Sequence, residues 1–150
     1  MMQQEANGVK WMYGQVAVAA ADDTDSDGAA LDMQDYDGAF FVVPIEDSVA
    51  TGVATLTAKQ CDTSGGIYAA LSGAVATATS ATNDDLNTKL LIVDVYRPQE
   101  RYLKANVKSV TANIAFGTLY QFAYKGRKSP VAQIAAEVAQ LTCVASPAEA

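Results

Sequence analysis

Lys89-Leu90-Leu91-Ile92-Val93-Asp94-Val95-Tyr96, then Arg97-Pro98-Gln99-Glu100, then Arg101-Tyr102-Leu103-Lys104-Ala105-Asn106-Val107-Lys108, is the stretch on which the fold turns. β-Branched and aromatic residues dominate the first run, the second alternates polar with apolar, and the four residues between them carry turn chemistry. The reading is strand, tight turn, strand, and the two runs are expected to pair as a hairpin.

Working outward, the same pattern repeats. Toward the C-terminus, Asn113 to Tyr124 reads as a further strand, with Ile114, Phe116, Tyr120, Phe122 and Tyr124 on one face and Gly117 marking a bulge. Toward the N-terminus, Val53, Thr55, Thr57 and Lys59 alternate with Ala54, Leu56, Ala58 and Gln60, the period of a half-buried strand. Ala39 to Ile45 is an apolar run of strand length that reads as buried on both faces, with Pro44 expected at an end, bulge or edge because it has no N–H for the ladder. Ala29 to Met33, Val16 to Ala19, and the small-residue segments Tyr68 to Leu71 and Val75 to Thr79 complete the strand candidates. Clusters such as Asp35-Tyr36-Asp37-Gly38, Cys61 to Gly66 and Asn83 to Asn87 separate them as turns. The expected fold is all-β, a β-sandwich or jelly-roll-like barrel of seven to eight antiparallel strands over residues 14–130.

Two flanking segments stand outside that pattern. Residues 1–13 are polar and mixed up to Trp11, Met12 and Tyr13, and read as an N-terminal arm. In the C-terminal extension, residues 131–150, Val131, Ile134, Ala135, Val138 and Leu141 have the spacing of an amphipathic helix, the favoured reading, although Val138 to Val144 could also extend.

Composition narrows the function classes. The chain has 150 residues, half of them apolar, which suffices for one domain with a real core. Its 17 acidic and 10 basic residues leave a net charge of −7, which opposes nucleic-acid binding. No apolar run of membrane-spanning length and no basic-then-apolar leader is present, so neither membrane nor export is expected. There is no histidine, which removes Ser-His-Asp and Cys-His nucleophile pairs and the imidazole ligands of most zinc sites. Cys61 and Cys143 are either small apolar residues or one bridge.

Four constellations merit weighing. Asp23-Thr24-Asp25-Ser26-Asp27-Gly28 matches the opening of a calcium loop, in which Asp23, Asp25 and Asp27 would converge on the ion. The twelfth position is Gln34 where such loops carry a bidentate Glu, so a solvated acidic turn is the plainer reading and no cofactor other than calcium is indicated. Asp84 with Asp85, or Asp35 with Asp37, could be imagined as a glycosidase pair, but turn capping explains them more simply and no enzyme activity is expected. Arg97, Arg101, Lys104, Lys108, Lys125, Arg127 and Lys128 gather most of the basic charge after residue 96. They are either a solvated face or the basic side of a dipolar subunit, with Arg97, Arg101, Arg127 and Lys128 as interface candidates. Trp11 and Tyr13 are either core residues of a first strand or aromatic anchors in a neighbouring subunit.

Three pieces in order, Leu31-Asp32-Met33-Gln34-Asp35-Tyr36-Asp37-Gly38-Ala39-Phe40-Phe41-Val42-Val43, Thr55-Leu56-Thr57-Ala58-Lys59-Gln60-Cys61-Asp62, and the Val93 to Ala105 segment with its closing Gly126-Arg127-Lys128-Ser129-Pro130-Val131, carry a resemblance. Together they resemble small structural proteins of tailed-bacteriophage heads, of the decoration or cement type, from roughly residue 14 to 131. The resemblance implies a non-enzymatic virion protein, made in the host bacterial cytoplasm, that coats the capsid surface, with the major capsid protein as partner and a homotrimer or other small oligomer as its usual assembly. The arm and the tail depart from the pattern, which keeps a neck, tail or fibre component of the virion as an alternative. A carbohydrate-binding β-sandwich is the alternative from another class.

Overall fold

The computed structural model describes residues 5–143. The outer ends of the expected arm and extension, residues 1–4 and 144–150, lie outside the described residues. A short 3-10 turn, Glu5–Gly8, precedes eleven strands: β1 (Lys10–Gln15), β2 (Val18–Ala21), β3 (Asp25–Asp27), β4 (Leu31–Asp32), β5 (Gly38–Ser48), β6 (Val53–Cys61), β7 (Ala69–Thr79), β8 (Leu90–Tyr96), β9 (Tyr102–Val110), β10 (Ile114–Phe116) and β11 (Leu119–Tyr124). The described chain is all-β, two antiparallel sheets packed face to face.

Period-two alternation builds the core. β5 turns Ala39, Phe41, Val43 and Ile45 inward, β8 turns in Leu91, Val93 and Val95, and the opposing sheet answers with Ala54, Leu56 and Ala58 from β6 and Leu103, Ala105 and Val107 from β9. Each large apolar side chain buried here contributes roughly 1.5–3 kcal/mol of transfer free energy.

In the first sheet β5 is central, with β8 on one side and β11 and β10 in line on the other; β1 lies outside β11 and β2 outside β10. The second sheet runs β3 and β4, then β9, β6 and β7. Treating β1 with β2, β3 with β4, and β10 with β11 as interrupted single strands, the chain crosses between sheets at nearly every connection and remains within one only from β6 to β7. That alternation is the double Greek key of a jelly roll.

The hairpin expected at residues 89–108 does not form. β8 pairs with β5 and β9 pairs with β6, so Arg97 to Arg101 is an arch between the sheets, entered through a left-handed Arg97 with φ 52°. The apolar faces of the two strands meet across the core rather than side by side, which buries both. The bulge expected at Gly117 is present, but it reverses the faces around it. Ile114 and Phe116 point inward, then Leu119, Gln121 and Ala123 do, so Tyr120, Phe122 and Tyr124 point outward instead of sharing the face of Ile114. Nor is β5 buried on both faces: Phe40, Val42 and Pro44 on its outer side are only half-buried.

Both flanking segments are drawn onto the sandwich. The boundary placed after residue 13 falls inside β1, which pairs with β11 from Lys10 opposite Ala123 to Gln15 opposite Leu119. The helix expected over Val131 to Leu141 is absent, replaced by one turn closed by Val138 N–H onto Ile134 O at 2.9 Å. Val131, Ile134 and Val138 are β-branched, an isolated helix of that length is marginal, and the segment instead bonds the free edge of β1. Cys61 and Cys143 are separate half-buried thiols, and Cys143 Sγ donates to Asn7 Oδ1 at 3.3 Å.

Candidate interaction surface

The outward residues of the first sheet form rows dictated by strand register. Tyr13, Tyr120, Val42 and Ile92 lie abreast across β1, β11, β5 and β8; Trp11, Phe122, Phe40 and Asp94 form the next row; Tyr124, Gly38 and Tyr96 the one after. Trp11 meets Phe122 edge-on at 4.8 Å between ring centroids, Phe40 lies 4.7 Å from Phe122, and Tyr13 lies 5.4 Å from Tyr120. Such pairs add stabilisation beyond the area they bury. Tyr124 O–H donates to Asp94 Oδ1 at 2.7 Å, and burial together with that bond pushes its phenol well above the usual tyrosine range.

What distinguishes this face is what it leaves uncovered. Leu90, Ile92 and Tyr96 are 55%, 53% and 55% exposed, although the alternate positions of the same strand are packed into the core. Leu90 and Ile92 adjoin the half-buried Pro44 and Val42 of β5, and Asp94 stands between them and Tyr96; an exposed apolar patch such as the Leu90 and Ile92 corner marks an interaction site. Trp11 and Tyr13, candidates by residue type, form the β1 edge of this face. Phe40, Leu90, Ile92, Tyr96, Tyr120 and Phe122 are not candidates by residue type alone, and the signal for the β8 residues is the unbroken Leu90-Leu91-Ile92-Val93 run, which has no polar side.

Four of the basic candidates converge at one end of the sandwich. Arg97 and Arg101 from the β8–β9 arch and Arg127 from the segment after β11 line a hollow of about 470 Å³ with Tyr36 and Asp37. Arg127 and Lys128 line an adjoining hollow of about 400 Å³ with Lys10 and Asp35. Arg101 is already engaged: its Nε and Nη2 donate to the two carboxylate oxygens of Asp32 at 2.9 and 2.8 Å, and that fork holds the Asp32 carboxyl below its ordinary range. The guanidinium of Arg97 stacks over the Tyr96 ring at 5.2 Å, with Lys125 Nζ 5.7 Å from the same ring, which ties the basic end to the last row of the aromatic face.

The seven late basic residues do not form a single basic side, because Lys104 and Lys108 sit on β9 in the second sheet. Lys104 lies over the Tyr68 ring at 4.4 Å, and Lys108 is paired in register with Asp25. Acidic residues are interleaved at both places, so the dipolar separation considered from sequence does not arise.

The calcium loop is overturned. Asp25, Ser26 and Asp27 are strand β3, paired with Lys108, Val107 and Asn106 of β9. Asn106 Nδ2 donates to Asp25 Oδ1 and to Asp27 Oδ1, each at 2.8 Å, and Lys59 Nζ pairs with Asp27 Oδ1 at 2.9 Å. Burial alone would raise the Asp27 carboxyl, but the Lys59 and Asn106 bonds prevail and lower it. Asp23 lies ahead of the strand, and an extended backbone cannot wrap three carboxylates around one ion; among the described residues no group of three potential ligands is assembled. Asp84 and Asp85 fix the turn before β8, where Asp85 Oδ2 accepts from Ala81 N–H at 2.8 Å and Asp84 Oδ1 from Asn87 Nδ2 at 3.1 Å.

Compared with known proteins, the chain matches no family model and no curated protein sequence.

Proposed function

We propose that this chain is a structural protein of a tailed-bacteriophage head, of the decoration or cement type, that binds the assembled shell of the major capsid protein. The observation that carries the reading is the outward face of β8, where Leu90, Ile92 and Tyr96 stand exposed across β5 from the aromatic residues of β11 and β1. A jelly roll hosts many functions, so the fold itself does not choose among them. The choice rests on that face, on the adjoining basic end, and on the resemblance of the Leu31 to Val43, Thr55 to Asp62 and Val93 to Ala105 segments to proteins of this kind.

On this reading no bond is made or broken. Docking removes the apolar rows from water at roughly 25 cal/mol per Å², and Arg97, Arg127 and Lys128 set orientation against acidic capsid surface. A protein that binds the shell but not its dissociated subunits stabilises the shell by mass action, and a trimer would add avidity.

Co-sedimentation with purified capsid shells tests this: wild type pellets with shells at near-stoichiometric occupancy, and Ile92→Lys does not. Absence of the polypeptide from purified virions would sink the proposal. Copy number in an electron-microscopy map separates the shell from a neck or tail location, hundreds of copies against a dozen or fewer. The carbohydrate-binding reading gains little support, because Tyr13 and Tyr120 are tilted by 40° and do not form a flat stacking platform.

A further inference from the structure

The described residues leave four sheet edges in this sandwich, and three of them are blunted. β1 is capped by the C-terminal segment, with Trp11 N–H donating to Gln133 Oε1 and Tyr13 N–H to Glu137 Oε2, each at 3.1 Å. β3 and β4 are three and two residues long and carry Asp25, Asp27 and Asp32. β8 is backed at its C-terminal half by the Leu71 to Ala74 bend of β7, with which Asp94, Val95 and Tyr96 line a shared hollow. Short length, charge and cover are the ordinary protections of a strand edge.

β7 is neither short nor charged, and β8 reaches only its Leu71 to Ala74 bend, leaving Val75 to Thr79 without such protection among the described residues. It is 11 residues long, Ala69–Thr79, pairs among the described residues only with β6, and contains no charged residue and no proline. Its regular part, Val75 to Thr79, lies opposite Thr57 to Val53. Directly after it, Ser80 N–H donates to Gly52 O at 2.8 Å, which sets the phase of the ladder. Antiparallel pairs alternate between bonded and non-bonded, so Ala78 and Ala76 bond β6, while the N–H and C=O groups of Val75, Thr77 and Thr79 point away from the sheet. The 3.4 Å approach of Thr77 Oγ1 to Thr55 Oγ1 fits the closer side-chain spacing of a non-bonded pair.

We infer that the outer edge of β7 is a self-association site, at which a second copy of this chain adds its own β7 antiparallel across a twofold axis through Thr77. The register is self-complementary. Thr77 faces its own mate, Val75 faces Thr79, and every outward N–H and C=O in that stretch finds a partner. The side chains brought together are β-branched and uncharged, a favourable cross-strand combination, and they extend the Val53, Thr55, Thr57 row of β6 into a continuous sheet. Had the occupant been a charged or aromatic strand of another protein, the edge would carry complementary charge or a pocket for it, and it carries neither. The contact is isologous and gives a closed pair, a small oligomer other than the trimer, and it does not depend on capsid binding.

Sedimentation velocity over a concentration series, with no capsid present, reads the pairing directly. Wild type shows a monomer–dimer equilibrium. Thr77→Lys, which opposes two like charges across the axis, raises the dissociation constant at least ~10-fold, and Thr77→Pro, which removes an outward N–H that a folded edge strand can spare, has the same effect. Both variants are to be checked for an unchanged cooperative melt. With Cys61 and Cys143 replaced by serine, Thr77→Cys forms an intermolecular disulfide on mild oxidation, since the Cα atoms of a bonded antiparallel pair lie about 5.5 Å apart, within disulfide reach. A wild type that stays monomeric at every concentration, or a dimer that survives Thr77→Lys and yields no Thr77→Cys cross-link, overturns the inference.

Discussion

Gln133 closes its side-chain amide onto the backbone around Trp11: its Oε1 accepts from Trp11 N–H at 3.1 Å while its Nε2 donates to Val9 O at 2.7 Å. One side chain thus does for the edge of β1 what a neighbouring strand would do. Replacing it with alanine should cost about 1 kcal/mol, the net value of one or two partly solvated hydrogen bonds. The sharper readout is local, an accelerated amide exchange at Trp11 with the β5 and β6 amides unchanged. Equal protection at Trp11 in both proteins would show that the cap does not operate in solution.

Neighbouring faces of the first sheet should separate stability from binding. Phe41 is fully buried, and Phe41→Ala should lower stability by about 3–5 kcal/mol, the usual cost of deleting a buried aromatic ring. Ile92 faces outward, and Ile92→Lys should shift stability by no more than ~0.5 kcal/mol while abolishing shell binding. Chemical denaturation and co-sedimentation on the same preparations give the comparison. A large loss of stability in Ile92→Lys would mean that the outer face is packed in the free protein.

Acid should weaken the clasp between β4 and the β8–β9 arch in a defined direction. The Arg101 fork lowers the Asp32 carboxyl in the folded protein, so its stabilisation is fully present above the unfolded carboxylate's range, near pH 4, and is lost as pH falls through the lowered folded value. Because the pair is exposed, the effect is small and screened by salt. The difference in melting temperature between wild type and Asp32→Asn should shrink toward zero on acidification and in molar salt. A difference constant from neutral to strongly acidic pH would assign the effect to something other than the ion pair.

How much of this was legible in the sequence follows from what each signal encodes. Alternation at Val53 to Gln60 fixed which side of β6 is buried, because a period of two admits only one core face. The Arg97 to Glu100 turn was equally visible, but turn residues report a change of direction and not the partner that follows. A hairpin and an arch have the same local chemistry, and the choice was made by Leu91, Val93 and Val95 finding Leu103, Ala105 and Val107 across the core. At the interaction surface, Trp11 and Tyr13 were visible by residue type. The exposure of Ile92 and Tyr96 was not, since it depends on β8 pairing with β5 at the side of the sheet away from the C-terminal segment, whose Glu137 and Val138 lie against Trp11 and Phe122. The acidic Asp23 to Gly28 segment misled because ligand spacing i, i+2, i+4 is also the spacing of one strand face, and Asn106 and Lys59, far away in sequence, decided between them.

Gly117 makes the inward-to-outward reversal possible, and crowding there should be separable from backbone preference. A Cβ at this position would run into the Pro44 ring and the Glu46 carboxylate, and Gly117 N–H donates to Pro44 O at 2.9 Å, so the two backbone segments approach through the space a side chain would fill. Glu46 can swing aside but the pyrrolidine ring cannot, so Gly117→Ala forces the backbone apart and should cost about 1–3 kcal/mol, as overpacking does. Gly73 provides the contrast: its φ is +81° with no atom within 4 Å of a built Cβ, so Gly73→Ala bears only the left-handed backbone penalty, about 1–2 kcal/mol. The two variants differ in where the damage appears. Gly117→Ala should lose ordered amide signals across β10 and β11 and disturb the Tyr120 and Phe122 rings that continue the outer face, whereas Gly73→Ala should leave them in place. Unperturbed β11 signals in Gly117→Ala would show that the reversal needs only the strand sequence and not the empty space beside Pro44.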